Sequence, residues 1–551
     1  MPLHSLPKLE MWGGVECTVN RVGDRYFDQI ARSSHMAHLD DLDRFADLGL
    51  KALRFPVLWE HVQPTRDGAP NWDWTDRALT RLRERGVRPI VGLLHHGFGP
   101  RWVDTSAPEY PEQFGRYARM VAERYPWVDA YTPINEPLTT ARFSGLYGHW
   151  YPHGRDKAIF ARLFVAQLTG TARAMREIRQ VNSAAQLIQT EDLGKVASTP
   201  SLATQREFEN ERRWLTWDIL SGCMTPHHAC WNYLSASGGR DVGRALRELI
   251  DEPCVPSILG INHYITSERY LDERVERYPL DEIGGNGRKV YADVAQVEVP
   301  SVKRIGISGL LAEAWQRYQL PIAITECHMG CTREEQMRWL HEVWDAATRG
   351  RHGGIDVRGV TTWALLGSFD WNSLVTREAD YYEPGAFDVR GPVPRPTALA
   401  AMVRRLATEG RFEHPVLASP GWWNRGRPPF EAHLAGRVHA RPILVVGNGN
   451  AYARELAKAS DVRGLAHVVI DRDDLDFGAP AELARALDKH RPWAVIDAAG
   501  APDLLAQGCE SRGLAFVSYS PHAPDASATL DMLLDESCSY AEYPEQRAAV
   551  A

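Results

Sequence analysis

The stretch "TPINEP" (132–137) follows the apolar alternation of "WVDAYT" (127–132). It reads as a buried strand ending at Asn135 and Glu136, because Pro137 has no N–H with which to continue a ladder. Working outward, seven more short apolar runs appear: "LEMWGG" (9–14), "ALRFPV" (52–57), "RPIVGLL" (88–94), "AQLIQTE" (185–191), "ILGINHY" (258–264), "PIAITE" (321–326) and "VRGVTTWALL" (357–366). Between them lie segments such as "HLDDLDRFADLGL" (38–50) and "PEQFGRYARMVAERY" (111–125), with apolar residues at helical spacing. Eight strands alternating with helices predict an α/β fold, a (β/α)8 TIM barrel over residues 1–409.

Residues 410–440 are rich in Gly, Pro and Trp and read as a linker. A second alternation fills 441–551: "RPILVVGNGN" (441–450), "AYARELAKAS" (451–460), "AHVVIDRDD" (466–474), "PWAVIDAAG" (492–500) and "GLAFVSYS" (513–520). This pattern predicts a small Rossmann-like parallel-sheet domain with a C-terminal tail.

Composition narrows the function classes. With 44% hydrophobic and 24% charged residues the chain reads as globular, and a net charge of −8 argues against nucleic-acid or membrane-surface partners. Eighteen tryptophans favour a carbohydrate ligand, since indole faces stack on sugar rings. The opening "MPLHSLPKLEMWGG" (1–14) has no cationic segment followed by an apolar run, and no apolar stretch is long enough to span a bilayer, so a cytoplasmic location is expected. The eight cysteines are scattered, which suits reduced thiols better than a metal site.

In such barrels the active site lies at the carboxyl ends of the strands. Glu136, Glu191 and Glu326 all stand there, and glycoside hydrolysis needs two carboxyl groups, one as acid and one as nucleophile. "TPINEP" (132–137) and "PIAITECH" (321–328) resemble the two catalytic signatures of family 1 glycoside hydrolases, the β-glucosidase family. Further stretches resemble that family in the same order: "MWGGVECTVN" (11–20), "LRFPVLWEHVQP" (53–64), "LLHHGFGP" (93–100), "ILGINHYIT" (258–266) and "GVTTWALLGSFDW" (359–371). The resemblance implies a retaining β-glycosidase with Glu136 as acid/base and Glu326 as nucleophile. It also implies that Arg54 keeps Glu326 ionised, Tyr264 hydrogen-bonds it, and Asn135 contacts the sugar 2-hydroxyl. Asn20, His95, His96, Asn262, Trp363, Asp370 and Trp371 fall on sugar-binding positions. Taken singly, Arg54 also reads as a surface ion pair, Tyr264, Trp363 and Trp371 as core residues, His95 as a core histidine, and Asn262 as a turn cap. The implied partner is a small β-glycoside, with no cofactor and no metal; oligomeric state is left open.

Departures from the family fall on recognition. Asn20 stands for a longer glutamine, His96 for a tryptophan, Asp370 for a glutamate, and Cys327–His328 for Asn-Gly; His263 replaces a tyrosine. A site that pairs particular hydroxyls rejects sugars lacking them, so a preference other than plain glucose is expected. The alternative is a glycan-binding protein without turnover. The region 441–520 resembles the N-terminal part of dTDP-4-dehydrorhamnose reductase, an extended short-chain reductase. That resemblance implies a nucleotide loop at Gly447 and Gly449, with Asp471 on a ribose and Arg472 nearby. Asn450 stands where a glycine would approach the pyrophosphate. No tyrosine after 500 is followed by a lysine four residues on, so a nucleotide-sugar oxidoreductase is the weaker alternative.

Overall fold

The computed structural model describes residues 6–299, 301–425, 441–447, 449–471, 479–500, 503–518 and 525–540. Residues 426–440 of the expected linker, and Arg472, lie outside the described residues. Contact density divides the chain into two compact units: Met1–His328 with Val343–Gly385, and Met329–Glu342 with Ala386–Ala551.

The first unit holds a closed barrel. Its strands are β1 (Glu10–Gly14), β2 (Ala52–Pro56), β3 (Arg88–His95), β4 (Ala130–Asn135), β5 (Gln186–Asp192), β6 (Ile258–Asn262), β7 (Ile322–Cys327) and β8 (Val357–Thr362). Every strand runs parallel to the one before it in sequence, and β8 closes on β1, with Gly13 opposite Thr362. The chain makes a helix after each strand: α1 (Asp41–Asp47), α2 (Asp73–Glu84), α3 (Tyr110–Arg124), α4 (Lys157–Val181), α5 (Trp231–Asp251), α6 (Gly306–Tyr318), α7 (Arg333–His352) and α8 (Ala398–Glu409). The expected (β/α)8 order is therefore present.

One layer inside the barrel is formed by Trp12, Ala52, Ile90, Ala130, Ile188, Ile258 and Ala323. Three alanines among bulky neighbours leave room for the single indole. Gly359 on β8 completes the fit, because a Cβ there would lie 2.5 Å from the Trp12 ring. The interior is thus a packed core, and only the carboxyl end is left to build a site.

The second unit contains a four-stranded parallel sheet of β9 (Ile443–Gly447), β10 (His467–Asp471), β11 (Ala494–Asp497) and β12 (Ala515–Ser518), in the order β10-β9-β11-β12. Leu444, Val446 and Val495 pack with Leu483, Leu487, Leu505 and Leu514 into its core. This unit also includes the first half of α7, which carries an unusual density of buried charge. Arg463 Nε donates to Glu334 Oε1 at 2.9 Å, and both side chains are at most 5% exposed. Burial alone would raise the Glu334 carboxyl, yet the Arg463 guanidinium holds it below its ordinary range. Removing Glu334 leaves Arg463 buried with Asp531 as its remaining carboxylate and the Ser527 carbonyl as an acceptor, so part of its compensation inside the protein is lost. Glu334→Ala is expected to lose about 3–5 kcal/mol of unfolding free energy in chemical denaturation, whereas an exposed pair would lose under about 1 kcal/mol.

Candidate active site

The site begins with how Glu136 is presented. β4 ends at Asn135, and Glu136 takes a left-handed conformation (φ 46°, ψ 61°) before Pro137 opens a short helix, Pro137–Ala141. Proline disfavours the right-handed helical region for the residue before it, so Glu136 turns off the strand axis there. A helix start leaves N–H groups without partners. Glu191, at the end of β5, supplies them: its carboxylate accepts from Leu138 N at 2.8 Å and Thr139 N at 3.1 Å. Thr139 and Thr216 hydroxyls donate to the same group at 2.9 and 2.7 Å. Glu191 is therefore a borrowed cap that holds the turn carrying Glu136, a role set by tertiary contact and absent from its own sequence neighbourhood.

Glu326 lies on β7 opposite Asn262 of β6, at a register shift. Arg54 NH1 donates to its Oε1 at 2.6 Å and to the Thr325 carbonyl at 2.8 Å. The Tyr264 hydroxyl donates to its Oε2. Arg54 NH2 donates to Asn135 Oδ1 at 2.7 Å, and the guanidinium sits 4.6 Å over the Trp363 ring. Trp363 in turn stacks on His95 at 5.3 Å and 7°, and its indole N–H donates to Glu16 Oε2 at 3.2 Å. Gly14 admits this indole, since a Cβ there would approach it to 2.4 Å.

Hydrogen bonds fix the protonation pattern. A guanidinium only donates, so the Asn135 atom facing Arg54 is its oxygen, and its Nδ2 faces the two histidines. That Nδ2 lies 3.1 Å from His95 Nε2 and 3.3 Å from His96 Nε2, so both ring nitrogens accept. Burial, with help from Arg54, agrees: it pushes His95 well below its ordinary value and His96 down to about 3. Neutral His96 Nε2 then stands 3.7 Å from Glu136 Oε2. Two acceptors face each other comfortably only if the carboxyl carries a proton.

The two glutamates differ in electrostatics although both are buried, Glu136 at 4% and Glu326 at 2% exposure. Burial raises Glu136 well above its ordinary value, the charge of Glu326 raises it further, and only the 2.6 Å hydrogen bond from Asn262 Nδ2 opposes. Burial also raises Glu326, but Arg54 and Tyr264 pull against it. The proton therefore belongs on Glu136, with Glu326 ionising first.

Recognition positions behave differently. Trp371, His96 and Trp150 rings gather at centroid distances of 5.2–6.3 Å. Asn20 Nδ2 donates to the Val375 carbonyl at 3.0 Å, and Trp150 Nε1 to that of Leu374 at 2.8 Å. Leu374 and Val375 are both left-handed (φ 53° and 49°), a conformation that costs roughly 1–3 kcal/mol for such residues and persists only where neighbours enforce it. Asp370 is turned into this loop: Arg32 NH1 meets its Oδ2 at 3.1 Å, and Ala379 N and Tyr381 N donate to Oδ1 at 3.1 and 2.9 Å. Asn20 and Asp370 thus hold the loop after β8. Glu16, Arg32, Thr140 and Trp150 belong to the same assembly, and sequence reasoning passed over them; only Glu16, inside "MWGGVECTVN", lay within a marked stretch.

In the second unit Gly447 pairs with Asp471 across β9 and β10, so the expected nucleotide-loop residues do come together. Asn450 caps α9 (Ala451–Val462), accepting from Ala453 N at 2.8 Å, and its Nδ2 donates to the Ala498 carbonyl at 2.5 Å. Among the described residues no group of three or more His, Cys, Asp or Glu side chains is arranged to hold a metal, and no helix is long and apolar enough to cross a membrane.

The raised Glu136 carboxyl makes stability depend on pH. A carboxyl raised in the folded state stabilises the fold while protonated and loses that contribution as pH climbs through its folded value. Glu136→Gln, which stays neutral, is expected to match the wild type near pH 4 and to exceed it in denaturant midpoint increasingly as pH rises above the ordinary glutamate range.

Comparison with known proteins agrees with this architecture. The glycosyl hydrolase family 1 pattern matches residues 9–378. The chain is 21% identical over 452 residues to β-glucosidase 47 of Arabidopsis thaliana, covering 75% of this chain and 82% of that protein. It is 24% identical over 388 residues to a bifunctional β-D-glucosidase/β-D-fucosidase of Bifidobacterium breve, covering 60% and 78%. A family 1 β-glucosidase structure from Thermotoga maritima superposes with a TM-score of 0.58 at 18% identity, covering 74% of this chain and 99% of that one. With a family match across most of its length on a closed parallel barrel, the chain belongs to glycosyl hydrolase family 1 and is an O-glycosyl hydrolase of β-glucosidase-like type.

Proposed function

We propose that the protein is a retaining β-glycosidase acting by double displacement at Glu136 and Glu326, with a sugar preference other than plain glucose. The observation that carries this is the asymmetry of the pair: Glu326 has Arg54 and Tyr264 as partners, and Glu136 has no cation within hydrogen-bond reach among the described contacts. In the first step the Glu326 carboxylate attacks the anomeric carbon. The bond to the aglycone oxygen breaks, and that oxygen takes the Glu136 proton. A glycosyl ester on Glu326 results. Water then attacks the same carbon, gives its proton to Glu136, and frees Glu326, so configuration is retained. The neutral His96 beside Glu136 disfavours early loss of the proton, because an ionised carboxylate would face an acceptor.

We read the second unit as a Rossmann-like domain without reductase chemistry. Both hydrogen bonds of the Asn450 side chain are made within this unit, to the Ala498 carbonyl and from Ala453 N, which supports a structural role. The glycosidase reading is tested with a panel of aryl β-glycosides. Release of the aryl group is expected from the wild type, falling about 10²–10⁴-fold in Glu136→Gln on poor leaving groups and at least as far in Glu326→Gln. Sugar binding without any release would instead favour a glycan-binding protein.

A further inference from the structure

Just past β6 the backbone changes partners. His263 N donates to the Glu326 carbonyl at 3.1 Å, whereas the next amide, Tyr264 N, donates to a side chain, the Ser267 hydroxyl, at 3.0 Å. Ser267 N donates in return to the Tyr264 carbonyl at 3.1 Å, so one short turn is closed twice. The Ser267 hydroxyl gives its own proton to Asp192 Oδ1. A hydroxyl has a single proton to donate, and directing it at Asp192 leaves a lone pair for Tyr264 N. At the far end of the same tyrosine, the phenol donates to Glu326 Oε2. A series of hydrogen bonds thus runs from the end of β5, through one aromatic side chain, to the carboxylate on β7.

The end of β5 is shaped to carry that turn. Asp192 stands opposite Asn262 in the register of β5 and β6. Beyond it, Leu193 N donates to the Asn262 carbonyl at 3.0 Å, and His263 Nδ1 donates to the Leu193 carbonyl at 2.9 Å. Gly194 lets the turn lie directly on the chain, since a Cβ there would come within 1.7 Å of the Ser267 carbonyl oxygen. Burial raises the Asp192 carboxyl, and the Ser267 hydrogen bond opposes this together with the charges of Arg142 and Arg269.

We propose, on the glycosidase reading above, that Asp192 and Ser267 are positioning residues: a carboxylate and a hydroxyl in series that hold the Tyr264 phenol on the nucleophile Glu326. The ring between the Tyr264 backbone and its hydroxyl is rigid, so a displaced backbone displaces the phenol oxygen too. A phenol that leaves Glu326 no longer favours its ionised form. Arg54 is then left to oppose burial and the charge of Glu16.

Infrared carboxyl-stretch spectra of the full-length protein across pH read the ionisation of Glu326 without turnover, each variant being compared with the same variant carrying Glu326→Gln. Tyr264→Phe is expected to raise the midpoint. Ser267→Ala is expected to raise it by about one pH unit, and Ser267→Thr, which keeps the hydroxyl, to restore it. Ser267→Ala added to Tyr264→Phe is expected to raise it no further. A midpoint unmoved by Ser267→Ala, or moved equally in both backgrounds, overturns the proposal. If Ser267→Ala does not fold, Asp192→Asn and Asp192→Ala decide. Both remove the charge, and only Asp192→Asn keeps an acceptor for Ser267. A higher midpoint in Asp192→Ala than in Asp192→Asn supports the proposal, and equal midpoints overturn it. On aryl β-glycosides, Ser267→Ala is expected to lower kcat about 10–100-fold with KM little changed, and to move the acid limb of kcat/KM upward with the infrared midpoint. If no glycoside is cleaved, the hydrolysis is refuted and the midpoints alone decide the positioning.

Discussion

The two glutamates in the barrel mouth are organised by the Arg54 guanidinium. It ties β2 to β7 through Glu326 and the Thr325 carbonyl, and to β4 through Asn135. Trp363 covers its face. A charge buried this deeply persists only when paired and fully hydrogen-bonded, so these contacts act as one unit. Because a guanidinium never accepts, its place dictates the orientation of Asn135, hence the acceptor state of His95 and His96, hence the company in which Glu136 stands.

From that constraint follows a division of labour between two chemically identical groups. Both glutamates are buried, and burial alone would raise both. The cation and the phenol on one side leave the proton on the other. The negative charge of Glu326 strengthens the effect, and a neutral imidazole beside Glu136 adds no positive charge to undo it. Such a pair holds one protonated and one ionised carboxyl group in the same pH range.

The barrel was legible because each strand is short, apolar and bounded by helical periodicity. "AYTPIN" coincides with β4, and "ALRFPV" exceeds β2 by one residue. "VRGVTTWALL" ran past Thr362 because the segment after β8 is itself buried, and apolar composition cannot tell a strand from a packed loop. The motif positions carried Glu136, Glu326, Arg54, Asn135, Asn262 and Tyr264 into one assembly. Asn20 and Asp370 were read as facing the sugar, yet their hydrogen bonds go largely to the loop after β8. That outcome depends on partners hundreds of positions away and on left-handed backbone at Leu374 and Val375, neither of which leaves a local signal. Likewise the buried pairing of Glu334 with Arg463, both within the second unit, was invisible from helical periodicity.

The proposed role of Glu326 as nucleophile requires a covalent bond between it and the sugar. A 2-deoxy-2-fluoro-β-glycoside with a good leaving group slows breakdown of such an ester more than its formation, so incubation followed by peptide mass spectrometry reports it directly. One fluoroglycosyl group is expected on the peptide containing Glu326, and none in Glu326→Gln. Labelling at another residue, or cleavage that yields product of inverted configuration without any adduct, would contradict it.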